Sequence, residues 1–488
     1  MNQTNTAKLG LYLGPLLFFG ILFFLEPKDM PADALAMLAV TAWIATWWIT
    51  EAIPIAATSL LPLVLLPSLG ALTMADTASS YSHPMVLLYM GGFMIAMSIE
   101  KWNLHKRIAL NTIAFIGTNI QRIILGFMLA TAFLSMWISN SATSLMMLPI
   151  AIAVVTQLSQ NSNPNEFKSN KIGKALMLGI AYSASIGGIS TLIGTPTNII
   201  LAGVIKEMYG YEISFSQWMI FGLPISIILL FFCWLYLVKW AYPFEKDFSV
   251  AGGKEEIQKQ LNQLGPMTVE EKRVSWVFGL VSFAWIVRSF PFMQFIPNLN
   301  DTIIAIVGVL LLFVIPSSDH KTNLLDWKTA EKIPWGILLL FGGGLSLAEG
   351  FKETGLASWI GNQFVFLDFI AFGLFLLIII AAVNFLTEIT SNVATASMIL
   401  PILAAVSLSM NVHPFGLMVG ATLAASCAFM LPVATPPNAV VFGSGYLSIP
   451  DMFKAGFWMN IFSILLVTLF TYYILPLLWN LDLNIYPF

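Results

Sequence analysis

The chain has 488 residues, of which 58% are apolar and 10% charged, against roughly 25% charged in soluble domains; a soluble globular protein is excluded. Its formal charge of -3, from 22 basic and 25 acidic residues, is spread through short hydrophilic gaps and leaves no basic surface for nucleic acid. Apolar stretches far longer than about ten residues, without alternation, exclude a transmembrane barrel and predict an all-α polytopic membrane protein.

From the N-terminus, the apolar run Leu9 to Leu25 exceeds a signal-peptide core of roughly 7 to 15 residues and reads as a retained first span within a segment 1–30. Further spans are expected near 34–50, 52–69, 84–99, 217–239, 275–291, 301–316, 334–348 and 453–477. Between them, 122–158, 175–205, 368–410 and 415–445 are apolar but broken by Ser, Asn, Thr, Gly and Pro. Broken spans are where transport chemistry sits in many carriers. The longest polar stretch, Tyr242 to Arg273, reads as a linker between a first half, 31–241, and a second, 274–488. Basic residues gather in Lys101 to Arg107, Lys168 to Lys174, Lys239 to Arg273 and Lys321 to Lys332, and none follows Lys454. The positive-inside tendency then puts the linker in the cytoplasm and the C-terminus outside. Cys233 and Cys427 lie in apolar runs without CxxC spacing, as packing residues do.

The two halves echo each other. FLSMWISNSATSLMMLPI (133–150) aligns with FLTEITSNVATASMILPI (385–402) at an offset of 252. Ser139, Asn140, Ala142, Thr143 and Pro149 thereby recur as Ser391, Asn392, Ala394, Thr395 and Pro401. Further on, IGTPTNII (193–200) aligns with VATPPNAV (433–440), so Thr195, Pro196 and Asn198 recur as Thr435, Pro436 and Asn438. A weaker echo sets Gly91 and Gly92 against Gly342 and Gly343. An odd number of spans per half would invert one repeat relative to the other, with a binding site at their interface.

Each repeated element breaks a helix. At Ser139-Asn140-Ser141 and Ser391-Asn392, short hydroxyl and amide side chains can cap the exposed backbone. The helix that follows directs its positive end at the turn, where an anion is stabilised. The preceding helix offers free carbonyls, and Ser135 and Thr387 stand one turn before Ser139 and Ser391, a combination that suits a hard cation such as sodium. In Gly194-Thr195-Pro196 and Ala434-Thr435-Pro436, proline removes a donor and frees carbonyls for which sodium is one partner. Singly, such residues can equally be interhelical hydrogen-bond partners worth about 0.6 kcal/mol each; a repeated order of four breaks has no such explanation. No Lys or Arg lies within these elements, Arg122 and Lys206 being the nearest in the first half. Glu388, beside the second break, and Glu51, inside an apolar run, are each a coupling group or a structural anchor. His83, His105, His320 and His413 have no metal spacing, and no HExxH, GxSxG or Walker A pattern is present, so enzymatic chemistry has no visible site.

These paired Ser-Asn signatures and paired Thr-Pro loops resemble the divalent anion/sodium symporter family, the INDY-like carboxylate transporters, across nearly the whole chain. The resemblance implies a homodimer with about eleven spans and two re-entrant hairpins, near 122–158 and 368–410. Hairpin tips and loops would form a transport domain moving as an elevator against a dimeric scaffold. It also implies one sodium near Ser135, Ser139, Asn140 and Gly194 and another near Thr387, Ser391, Asn392 and Ala434. The carboxylates would meet Asn140, Ser141, Asn392 and Val393 with the loops at Thr195-Pro196 and Thr435-Pro436. Ser141 keeps the hydroxyl of the family's threonine and Val393 loses it. The expected activity is sodium-coupled uptake of a four-carbon dicarboxylate such as succinate, malate or fumarate across a bacterial inner membrane. Citrate or sulfate symport, sodium-independent exchange and, from another class, an anion channel or intramembrane enzyme are the alternatives.

Overall fold

A computed structural model describes residues 5–117, 119–160, 166–244, 253–288, 298–363 and 371–488, and these are helical apart from turns and an isolated bridge between Pro316 and Asn323. The first helices, α1 (Asn5–Phe24) and α2 (Ala32–Thr50), lie side by side. Their approach depends on Gly10, where a Cβ would stand 1.9 Å from the Thr50 hydroxyl. The span expected at 52–69 is two short helices, α3 (Ile55–Thr58) and α4 (Leu61–Ser68). Pro54 and Pro62, each at a helix start, lack the N–H that would carry one helix through the stretch. Next come α5 (Met74–Tyr81), α6 (Pro84–Lys101) and α7 (Leu104–Ile116).

The first interrupted unit comprises α8 (Ile120–Ser135), α9 (Asn140–Gln160), α10 (Glu166–Ile189) and α11 (Pro196–Tyr209). After α12 (Phe215–Leu235) and the π-helical turn Tyr236–Ala241, the polar stretch holds the amphipathic α13 (Gly253–Leu264) and the start of α14 (Val269–Val287); its residues 245–252 lie outside the described residues. Arg107 fastens this stretch to α7, its guanidinium donating to both Glu271 carboxylate oxygens at 2.8 and 3.0 Å and to the Gly265 carbonyl at 3.0 Å. Helices α15 (Asp301–Val314), α16 (Trp327–Ala330), α17 (Trp335–Glu353) and α18 (Leu356–Gln363) lead to the second interrupted unit. That unit is α19 (Phe372–Leu386), α20 (Asn392–Ser409), α21 (Pro414–Ser426) and α22 (Pro436–Phe442). The expected second hairpin begins at 368, and 368–370 lie outside the described residues. Helix α23 (Ile449–Leu469), the π-helical turn Phe470–Ile474 and α24 (Leu475–Trp479) close the chain.

Among the described residues, eight continuous helical runs are long and apolar enough to cross a bilayer by length and composition. The shorter apolar helices Ile120–Ser135, Phe372–Leu386 and Pro414–Ser426 belong to the interrupted units. One apolar core joins both units, and a smaller one joins α1, α2 and α4 to α17 and α18. Cys233 and Cys427 are buried and free.

The packing of the two units is crossed. The short helix after the second break, α22, lies on α9 and α10 of the first unit, while α11 lies on α20 and α21 of the second. A buried hydroxyl pair, Thr197 and Ser426 at 2.6 Å, joins the units. This exchange brings four breaks, distant in sequence, to one place.

Candidate functional site

In the first unit α8 stops at Ser135, and the chain turns through Met136 to Ser139 before α9 begins at Asn140. Ser139 serves as the cap, its hydroxyl accepting from the Ala142 amide at 3.3 Å and its carbonyl from Thr143 at 3.0 Å. Ser391 heads α20 with its carbonyl accepting from Thr395 at 2.9 Å, but its hydroxyl makes no capping bond, a departure from the reading of both serines as side-chain caps. Ser135 and Thr387 reach past these serines to the asparagines. The buried Ser135 hydroxyl lies 2.5 Å from the Asn140 amide and 2.8 Å from the Ala184 carbonyl. Thr387 repeats the arrangement, 2.7 Å from Asn392 Oδ1 and 3.0 Å from the Ala425 carbonyl.

The Asn140 amide is crowded by oxygens: the terminal atom beside Ser135 is also 3.2 Å from both the Ala184 and Gly194 carbonyls. With its NH2 at that point, Asn140 donates to all three; turned over, it adds a fourth oxygen to a cluster of hydroxyl and carbonyls. Neutral oxygens converging in this way are the donor set of a hard cation. Gly194 is required by the close approach, since a Cβ there would stand 2.5 Å from the Gly188 carbonyl. At the matching positions of the second unit stand Ala428 and Ala434.

The Thr-Pro breaks are held by two asparagines to which the sequence reading gave no role. Asn198 Nδ2 donates to the carbonyls of Thr191, Gly188 and Ile189 at 2.8, 3.2 and 3.3 Å. Asn438 Nδ2 donates to those of Leu431 and Ala428 at 3.0 and 3.3 Å. Several carbonyls of the unwound stretches before the Thr-Pro pairs are thus taken by side-chain amides. The signal was in the sequence, as both asparagines recur at the same distance from their Thr-Pro pair. Thr435 caps α22 by accepting from the Asn438 amide at 3.2 Å, while Thr195 makes no such bond.

Glu388 is an anchor. Its buried carboxylate accepts from the backbone amides of Phe429 at 2.7 Å, Met430 at 2.9 and 3.1 Å and Leu431 at 3.0 Å, and from Asn460 Nδ2 at 2.7 Å. Three consecutive amides of the unwound stretch before Ala434 are held by one side chain. Met136 occupies this position in the first unit, and there the Thr191 hydroxyl donates to its carbonyl at 2.5 Å. Gly456 of α23 makes room for the anchored stretch, since a Cβ would lie 2.2 Å from the Phe429 carbonyl.

All four breaks open into a cavity of about 680 Å³, lined by Ser139, Asn140, Ser141, Gly194, Thr195 and Pro196 from one unit. Ser391, Asn392, Val393, Ala434, Thr435 and Pro436 line it from the other. Ser135 and Thr387 sit behind the asparagines and do not line it. Thr6, Ile49, Thr50, Glu51, Ile55 and Tyr89 from the earlier helices and Ile337 of α17 add to the wall. None of these was expected at the site except as the open question of Glu51. That residue does not lie within a span: it ends α2 and is exposed. No Lys, Arg or His is among the described lining residues, and no group of His, Cys, Asp and Glu among the described residues could hold a metal ion.

Duplicated helix breaks meeting in one polar cavity, inside a bundle of apolar helices, define a secondary transporter of the membrane. Over residues 5–480 the chain matches, and belongs to, the family described as the sodium:sulfate symporter transmembrane region. It is 47% identical over 482 residues to the sodium-dependent dicarboxylate transporter SdcS of Staphylococcus aureus strain USA300, covering 98% of this chain and 92% of that protein. Against SdcS of strain MRSA252 the identity is 47% over 487 residues, with 98% and 94% covered. Two solved structures share the fold. Neisseria gonorrhoeae MtrF, from a class of antimetabolite efflux pumps, aligns with TM-score 0.56 at 12% identity over 96% of this chain and 94% of its own. The Alcanivorax borkumensis YdaH transporter aligns with TM-score 0.54 at 11% identity over 96% of each. The protein is therefore an integral membrane symporter that uses sodium, and not an enzyme.

Proposed function

We propose that this protein takes up four-carbon dicarboxylates such as succinate, malate or fumarate together with sodium. The observation that carries this reading is that two Ser-Asn turns, each beside a set of neutral oxygens, face one cavity with no basic side chain among its described lining residues. A dianion in such a cavity needs cations brought with it, which is a physical basis for coupling. The name carried by the SdcS relatives supports the same substrate class. Entry of a dianion into a cell held 100 mV negative is opposed by about 4.6 kcal/mol, at about 2.3 kcal/mol per charge, and sodium entering with it offsets this.

In this reading one sodium lies among Ser135, Ser139, Asn140 and Gly194, and a second among Thr387, Ser391, Asn392 and Ala434. The carboxylates lie against Asn140, Ser141, Asn392 and the turns Thr195-Pro196 and Thr435-Pro436, beside the apolar Val393. The two interrupted units move together as an elevator against the remaining helices of a homodimer in the bacterial plasma membrane, with the linker cytoplasmic and the C-terminus outside. The test is uptake of labelled succinate into proteoliposomes under a sodium or a choline gradient, with Asn140→Ala and Asn392→Ala as variants. Sodium-dependent uptake lost in both variants, with normal insertion, is expected. Full uptake in both would refute the site, uptake in choline would refute coupling, and uptake of citrate or sulfate in place of succinate would reassign the substrate.

A further inference from the structure

Glu51 is the one charged residue among the described residues lining the cavity. Two local preferences oppose its presence. Its backbone is left-handed, with φ 48°, a region that non-glycine residues with a Cβ adopt at a cost of about 1 kcal/mol or more. It caps the C-terminus of α2, its amide donating to the Trp47 carbonyl, where the helix dipole disfavours an acid. Its carboxylate is exposed, and no hydrogen bond or ion pair ties it to another described residue. Glycine or asparagine would serve the turn better. Where two local rules are broken at one position, the compensation is functional.

We propose that Glu51 is a specificity-determining residue: a fixed negative charge that raises the cavity's affinity for sodium and lowers its affinity for the anion. This inference rests on the dicarboxylate reading above. The charge arithmetic states its consequence. With Glu51 ionised and no solutes bound, the cavity wall carries -1; one sodium at each Ser-Asn turn makes it +1, and a dianion returns it to -1. Without Glu51 the same sequence is 0, +2, 0. The carboxylate thus makes the empty carrier repel the dicarboxylate and attract sodium, so an anion seldom occupies the cavity without its cations. Glu388 cannot share this role, because its carboxylate is buried among backbone amides.

The test compares wild type, Glu51→Gln, Glu51→Asp and Glu51→Gly in proteoliposomes. It reads the half-saturating sodium concentration and the succinate KM at saturating sodium. Loss of the charge in Glu51→Gln is expected to raise the first and lower the second, each about three- to tenfold, the range for a unit charge acting across a solvated cavity. Added choline chloride shrinks the difference by screening. Glu51→Asp keeps the wild-type balance. Glu51→Gly, which relieves the backbone, shows the same opposed shifts as Glu51→Gln and covers the case in which that variant folds poorly. A merely structural defect would weaken both affinities together. Shifts in the same direction, or none, in a set whose wild type transports succinate with sodium overturn this inference alone. A wild type with no sodium-dependent succinate uptake overturns both it and the reading beneath it.

Discussion

Replacing Glu388 by Gln tests how the second break is held. The carboxylate collects four contacts from three consecutive amides and a fifth from Asn460. A glutamine oriented with its oxygen toward Phe429 and Asn460 keeps those contacts, and the 2.9 Å contact from Met430, as neutral hydrogen bonds. Its NH2 then faces the Leu431 amide, donor against donor. An unsatisfied buried amide costs about 1 to 3 kcal/mol, and each bond changed from charged to neutral loses about 1 kcal/mol more. Relief of the buried charge returns part of this. A net loss of about 2 kcal/mol in the stability of the anchored stretch is the working figure. If Ala434 and Thr435 bind solutes only when that stretch is in place, this loss is a roughly 30-fold fall in the affinity of the second sodium. Sodium titration of succinate uptake, paired with thermal unfolding in detergent with and without sodium, checks it. The half-saturating sodium concentration should rise at least tenfold and the sodium-dependent rise in Tm should shrink. A half-saturation within twofold of wild type, with intact uptake, would refute the anchoring argument.

The asparagine staples give a paired comparison. Asn198→Ala and Asn438→Ala each leave buried carbonyls without a donor, at about 1 to 3 kcal/mol. Asn198→Ala should lower Tm further, because Asn198 Nδ2 reaches three carbonyls and Asn438 Nδ2 two; the reverse order in thermal unfolding would contradict it. At the end of the linker, the hydroxyl and amide of Ser318 donate to Glu270 at 2.5 and 2.7 Å and hold its carboxyl well below its usual 4.5, at about 2. Because the folded value is the lower one, this stabilisation is full above the unfolded value and fades as pH falls from about 4.5 toward 2. Acid titration of unfolding should show that loss in wild type and a smaller one in Glu270→Gln. Equal slopes would show that the Ser318 contact contributes nothing.

The class of protein, the duplication and the four breaks that meet at the cavity were legible in the sequence, because each is written in short runs of residues; the division of 52–69 into two helices was not. Apolar length sets which segments suit a bilayer, and proline, glycine and short polar residues end a helix within the reach of an i to i-4 hydrogen bond. Ser135 and Thr387 were found by that same spacing, although their partners are the asparagines five residues on and not the serines at four. What tertiary structure decided was which break meets which. The crossed packing of α11 and α22 places Asn140 and Asn392 on one cavity, Glu388 becomes an anchor only because the amides of Phe429 to Leu431 arrive there, and Glu51 lines that cavity from the end of α2. Those contacts join groups separated by tens to hundreds of residues in the chain, and their energies depend on side-chain packing and burial, which no run of neighbouring letters contains.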